Sequence, residues 1–123
     1  MKSKIIKVKT KSKNYEVHIG TNLIPKLKNI LKKNKLLFSK CLIVVDNKIP
    51  KKFRKLLYKN FENKKFYNLN FNANEKNKSY VSIDKIHNVL FKNNFYREDC
   101  IISFGGGITG DVVGYAALSL IHI

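Results

Sequence analysis

Tryptophan is absent from this 123-residue sequence, methionine occurs once, and cysteine only at Cys41 and Cys100. Each cysteine opens an apolar run, and neither has a C-x-x-C partner or a nearby histidine, which argues against a metal or redox role and suits two small buried hydrophobes. Acidic side chains are scarce as well, eight against 25 basic ones, leaving a formal net charge of +17. Such a balance would raise nucleic acid or an anionic membrane as a partner. Arginine, however, is nearly missing, with Arg54 and Arg97 alone among the cations. Readers of nucleic acid rely on arginine for bidentate base and phosphate contacts, and none of their signatures appears, so the lysines are expected to form a solvated basic surface. No apolar run reaches the ~18 residues of a membrane span. The amino terminus alternates lysine with isoleucine and valine and has no continuous apolar core, so no secretory leader is expected. These exclusions leave a cytoplasmic domain of modest size. Its 44% hydrophobic content is compatible with a packed core and argues against disorder.

Residues 4 to 10 and 14 to 19 alternate apolar and polar side chains about a polar turn, which predicts a β-hairpin with one buried face. Thr21 or Asn22 is placed to cap a following helix carrying Leu23, Ile24, Leu27, Ile30 and Leu31. Leu42 to Val45 is a solid aliphatic run of the kind found in parallel strands covered on both faces. Asp46 and Asn47 then stand at a strand end, where a carboxylate can accept the hydroxyls of a ribose. From position alone, Asp46 capping the helix begun by Pro50 is an equal reading. A basic amphipathic helix is expected over 51–60 and a short strand over 66–71. A polar loop follows over 72–79, then a helix begun by Ser82 or Asp84 with Ile83, Ile86, Val89, Leu90 and Phe95 inward. Strand alternating with helix predicts an α/β fold: a Rossmann-like, mostly parallel sheet with helices on both faces, preceded by the amino-terminal hairpin.

Glycine is sparse too, yet three stand together at 105–107, between the apolar run Ile101, Ile102, Phe104 and a stretch of small and apolar residues at helical spacing. Strand, glycine loop and helix make a place for an anion, because glycine permits positive φ and bare backbone, and the first amides of the helix are unpaired. Gly105, Gly107 and Gly110 also satisfy G-x-G-x-x-G, a weak pattern by itself. Asp111, expected in the first turn of that helix, is favoured there by the helix dipole and is also within reach of a ligand on the loop. His18, His87 and His122 show no metal-ligand spacing.

The run GGGITGDVVGYAA, residues 105–117, closely resembles the signature of the 3-dehydroquinate synthase family, NAD- and divalent-metal-dependent enzymes of the shikimate pathway. The resemblance extends more weakly through SKNYEVHIGTNLI, LIVVDN and EKNKS. It implies a cofactor site formed by Asp46, Asn47, Glu75, Lys78, Gly105, Gly106, Gly107, Ile108 and Asp111, although Ala73 and Asn74 stand where the family has an acidic residue and a glycine. By the same resemblance the reaction would convert 3-deoxy-D-arabino-heptulosonate 7-phosphate to 3-dehydroquinate and phosphate, with NAD as cofactor and zinc or cobalt as metal. The partner would be a sugar-phosphate substrate, with no nucleic acid or membrane, and the full-length enzyme a homodimer. Residues 1–123 correspond to the amino-terminal NAD-binding domain. The metal ligands and substrate lysines belong to a carboxy-terminal domain absent here, so no catalytic or metal residue is expected in this chain, nor activity from it alone. Residues 118–123 end in an apolar turn where the family has an Arg-Gly pair, and the expectation is a truncated chain with foreign terminal sequence. The alternatives are another NAD-dependent sugar-phosphate cyclase, a polyol dehydrogenase, or a small basic nucleic-acid-binding module.

Overall fold

Strand β3, Lys40–Asp46, is the axis of the molecule, and from Cys41 to Val45 none of its side chains is solvent-exposed. The computed structural model describes residues 3–121. Parallel β4 (Lys65–Phe71) lies on one side of β3 and parallel β5 (Cys100–Phe104) on the other. The period of two along CLIVV sends its side chains to opposite faces. Leu42 and Val44 pack with Phe71, with Ile83, Ile86 and Leu90 of α3 (Tyr80–Lys92), and with Val112, Val113 and Ala116 of α4 (Gly107–Ile121). Cys41, Ile43 and Val45 pack with Leu57 of α2 (Lys51–Lys59) and with Phe61, beside Leu27 and Leu31 of α1 (Leu27–Lys33). The aliphatic run is thus covered on both faces, as its composition predicts.

The hairpin forms where expected, β1 (Lys4–Lys9) antiparallel to β2 (Asn14–Ile19), but its burial differs. The register places Ile6, Val8, Tyr15, Val17 and Ile19 on one face, and of these Ile6, Tyr15, Val17 and Ile19 are all at least 39% exposed. Alternation fixes which side chains share a face but cannot supply an element to cover it, and among the described residues this two-stranded sheet pairs with no other strand. Two helix starts also differ. Neither Thr21 nor Asn22 caps α1: Asn22 adopts φ 55°, and the chain enters the helix through a 3-10 turn, Ile24–Lys26, that carries Pro25 and lacks a side-chain cap. Helix α3 begins at Tyr80, ahead of Ser82 and Asp84, because Ser79 is the last extended residue, with φ −150°, and Ser82 is buried inside the helix.

The cysteines are free and sit in strands. Burial pushes the Cys41 thiol up to about 12 and the Cys100 thiol to about 11, from 9.0. Neither is expected to react with iodoacetamide in the folded chain near neutral pH, since the thiolate is the nucleophile. Because the folded state holds these protons longer than the unfolded one, their contribution to stability is full below pH 9.0 and is lost as pH rises toward 11 and 12. Urea titrations between neutral and alkaline pH check this, with Cys41→Ala flattening the decline.

Candidate functional site

Because the three strands are parallel, Asp46, Phe71 and Phe104 all end on one edge of the sheet. The helix after β3 covers the Ile43 face, whereas the helix after β5 covers the Leu42 face. Chain connections therefore diverge between β3 and β5 at their carboxyl ends, the usual ligand position in open α/β sheets. Asp46 ends β3 there and Gly105 follows β5.

Gly105 is a glycine because of proximity. A methyl group built on it would stand 2.6 Å from Thr109 Oγ1, 3.0 Å from Thr109 Cβ and 3.1 Å from Asp46 Cβ. The expected positive φ is not found; none of the described glycines adopts one. At Gly106 and Gly107 a methyl would meet nothing within 4 Å, so the backbone there faces open space. Helix α4 starts at Gly107 itself, and Gly110 N–H donates to Gly106 C=O at 3.1 Å. The amides of Gly107, Ile108 and Thr109 precede that bond and have no acceptor within the helix. The early start also moves Asp111 out of the first turn, where the helix dipole would favour a carboxylate.

Asp46 does not cap α2, whose N-cap position is Pro50 without a side-chain bond. Its Oδ1 accepts from the Lys48 amide at 3.0 Å, and Oδ2 has no partner among the described residues. Asn47 donates its amide to Phe71 C=O at 2.9 Å, which ties the loop to β4. Arg54, a residue the sequence did not mark, grips the same loop by donating Nε to Ile49 C=O at 3.0 Å and Nη2 to Asn47 C=O at 2.9 Å. Its rarity in a lysine-rich chain was the available signal.

Lys78 and Asp111, 33 residues apart in sequence, meet with Nζ to Oδ2 at 2.9 Å. Hydrogen bonding to Asp111, and then its charge, holds the Lys78 ammonium above its ordinary value, with a smaller push from Glu75. Both groups are about half exposed, so the pair adds little to stability and is open to a ligand. Asn74, in place of the expected glycine, has extended backbone with φ −150°, and its side chain accepts from the Asn77 amide at 2.9 Å. Any residue adopts that backbone, so the missing glycine costs the loop nothing. Thr109 Oγ1 is buried with no partner among the described residues, and sequence reasoning missed it.

These features fit a dinucleotide. A free carboxylate oxygen suits a ribose diol, unobstructed backbone and helix amides suit a pyrophosphate, and an exposed lysine supplies a counter-charge. For a metal the donors do not assemble: among the described residues no three His, Cys, Asp or Glu side chains come together. His18 bonds Glu16 at 3.1 Å, His87 bonds Ala116 C=O at 3.0 Å, and His122 lies outside the described residues. No described helix is long and apolar enough to cross a membrane.

Residues 68–122 match the family model described as 3-dehydroquinate synthase N-terminal. The chain is 45% identical over 112 residues to a 3-dehydroquinate synthase of Pelagibacter ubique, covering 91% of this chain and 30% of that protein. A 3-dehydroquinate synthase of Prochlorococcus marinus is 32% identical, with 91% and 31% covered. Among solved structures, 2-deoxy-scyllo-inosose synthase superposes with a TM-score of 0.82 over 96% of this chain and 33% of its own, at 17% identity, which shows a shared fold. A second structure of that enzyme, complexed with carbaglucose-6-phosphate, NAD+ and Co2+, gives 0.79. The chain spans about a third of the length of the curated relatives it matches. Over nearly its whole length this chain is similar to about a third of a 3-dehydroquinate synthase, and its residues 68–122 match that family's N-terminal model.

Proposed function

We propose that residues 1–123 are the NAD-binding domain of a 3-dehydroquinate synthase, the enzyme that converts 3-deoxy-D-arabino-heptulosonate 7-phosphate to 3-dehydroquinate with loss of phosphate. The observation that carries this is the close approach of Gly105 to Asp46 at the carboxyl ends of β5 and β3, with the Lys78–Asp111 pair on the helix that follows the glycine loop. Asp46, with Asn47 beside it, holds the adenosine ribose. Gly106, Gly107 and Ile108 present their backbone to the pyrophosphate, whose charge the Lys78 ammonium balances with Glu75 alongside. Asp111 accepts a hydrogen bond from the far half of the cofactor. When bound, NAD supplies a reversible hydride acceptor for a substrate hydroxyl. Residues of this chain bind and orient. On this reading proton transfer and phosphate loss fall to the remainder of the longer enzyme. The isolated chain is expected to turn over no substrate.

Calorimetric titration tests the binding. The folded chain is expected to prefer NAD to NADP by at least about tenfold, because a 2′-phosphate would face the Asp46 carboxylate. Asp46→Asn should narrow that preference, and Asp111→Asn should weaken NAD by about tenfold through loss of a charge-assisted hydrogen bond. A folded chain that shows no heat at millimolar NAD would overturn the cofactor assignment.

A further inference from the structure

Strand β5 has a partner on one side only. It pairs with β3, and its other edge meets no strand among the described residues. Open edges are normally blunted by charge, proline or a bulge. The opposite edge strand, β4, carries Lys65 and two asparagines, whereas β5 reads CIISF and holds no charged residue. Beside the bare edge lies a cavity of about 720 Å3, bounded by Leu90, Phe95 and Val113 and, along α4, by Gly110, Gly114 and Ala117. Phe91 and Tyr96, which also line it, are 56% and 76% exposed, so this apolar surface lacks a cover among the described residues. The two glycines are the sharper sign. Both lie inside α4, where glycine weakens a helix relative to alanine, and a methyl on either would meet nothing within 4 Å. No contact among the described residues requires them, whereas an element pressed closely onto α4 from outside does.

We propose that the β5 edge and this cavity seat the polypeptide that follows α4 in the longer relatives, as a strand parallel to β5. Topology supplies both the occupant and its direction. Helix α2 covers the Ile43 face and connects β3 to β4, whereas α3 covers the Leu42 face and carries the chain back from β4, past β3, to β5. Opposite directions on opposite faces are what one crossover hand requires, and parallel connections are nearly always right-handed. Helix α4 lies on the Leu42 face as α3 does. The same hand therefore sends the chain onward, away from β3, and lays the next parallel strand on the open edge of β5. On the Leu42 face its side chains are apolar and press on Gly110 and Gly114, where the helix leaves room for them. The relatives named above run to about three times the length matched here, so they have chain to fill the seat. The inference rests on similarity to those longer proteins and is independent of dinucleotide binding.

Hydrogen exchange tests this, comparing the 123-residue chain with a chimera in which it replaces the matching third of the Pelagibacter ubique enzyme. Amides of Cys100–Phe104 that face away from β3 should exchange at least about tenfold more slowly in the chimera. Gly114→Phe and Ser103→Lys, both at exposed positions, should return those amides toward the isolated-chain rate. In the isolated chain the same substitutions should leave the melting temperature within about 3 °C of the parent. A folded chimera whose outward β5 amides exchange as fast as in the isolated chain overturns the proposal. So does protection gained on the edge of β4 and not on that of β5. An isolated Gly114→Phe chain that melts far below its parent overturns it as well, since the glycine then serves this chain's own packing. A chimera that fails to fold when both parents fold does the same, because the two surfaces then do not match. All of these outcomes leave the cofactor assignment to the NAD titration.

Discussion

Gly105→Ala is expected to destabilise the domain by about 1–3 kcal/mol, whereas Gly106→Ala, its immediate neighbour, should leave stability within about 0.5 kcal/mol. The new methyl at 105 would lie 2.6 Å from Thr109 Oγ1 and 3.1 Å from Asp46 Cβ, and neither can retreat easily. Thr109 is fully buried, and Asp46 continues a strand whose interior is closed to solvent. At Gly106 the methyl meets nothing, and with no glycine at positive φ the alanine is unstrained. In thermal denaturation a chain of this size should lose roughly 4 °C per kcal/mol for Gly105→Ala. Ligand binding should invert the contrast among folded molecules, because a side chain at Gly106 occupies the space where a pyrophosphate would approach. A Gly105→Ala/Thr109→Ala double substitution, which removes the hydroxyl in the way, should recover part of the loss. Strictly additive penalties would show that the Thr109 contact is not the cause.

The contrast also shows what the sequence could and could not convey about the site. The triplet of glycines was legible as a strand-to-helix connection, because an apolar run broken by glycine and followed by helical spacing has few other solutions. Its detailed use was not legible. Helix α4 includes Gly107, and that earlier start removed the dipole rationale for Asp111. Asp46 was placed at a strand end by the run CLIVV, and the strand is there, yet its carboxylate holds a turn and caps no helix. Lys78 meets Asp111, and Tyr80 meets Tyr115, only because α3 packs against α4 over the Leu42 face, a consequence of tertiary packing that no local pattern encodes. Similarity to 3-dehydroquinate synthases pointed to Lys78 and Asp111 separately. It gave no reason to look at the tyrosines.

Leu42→Ala and Ile43→Ala are each expected to cost about 2–5 kcal/mol, although they are consecutive residues whose side chains point to opposite faces. If β3 lay in a sheet with one solvated face, one of the two would cost almost nothing. Here both are fully buried, Leu42 against α3 and α4 and Ile43 against α2 and Phe61. Ile6→Ala on the hairpin, where the alternation is just as clean, should cost under about 1 kcal/mol because its side chain is already 40% exposed. Urea denaturation midpoints of the three variants measure the difference. An Ile6→Ala loss equal to that of Leu42→Ala would mean that the hairpin face is covered in solution. Domain stabilities are commonly only about 5–15 kcal/mol, so either core substitution removes a large share of the total. Helix α4 sits on Leu42 and α2 on Ile43, and these helices follow the strand ends that carry Gly105 and Asp46. Both substitutions should therefore lower apparent NAD affinity by the fraction of molecules left unfolded, and correcting for that fraction should restore the parent value.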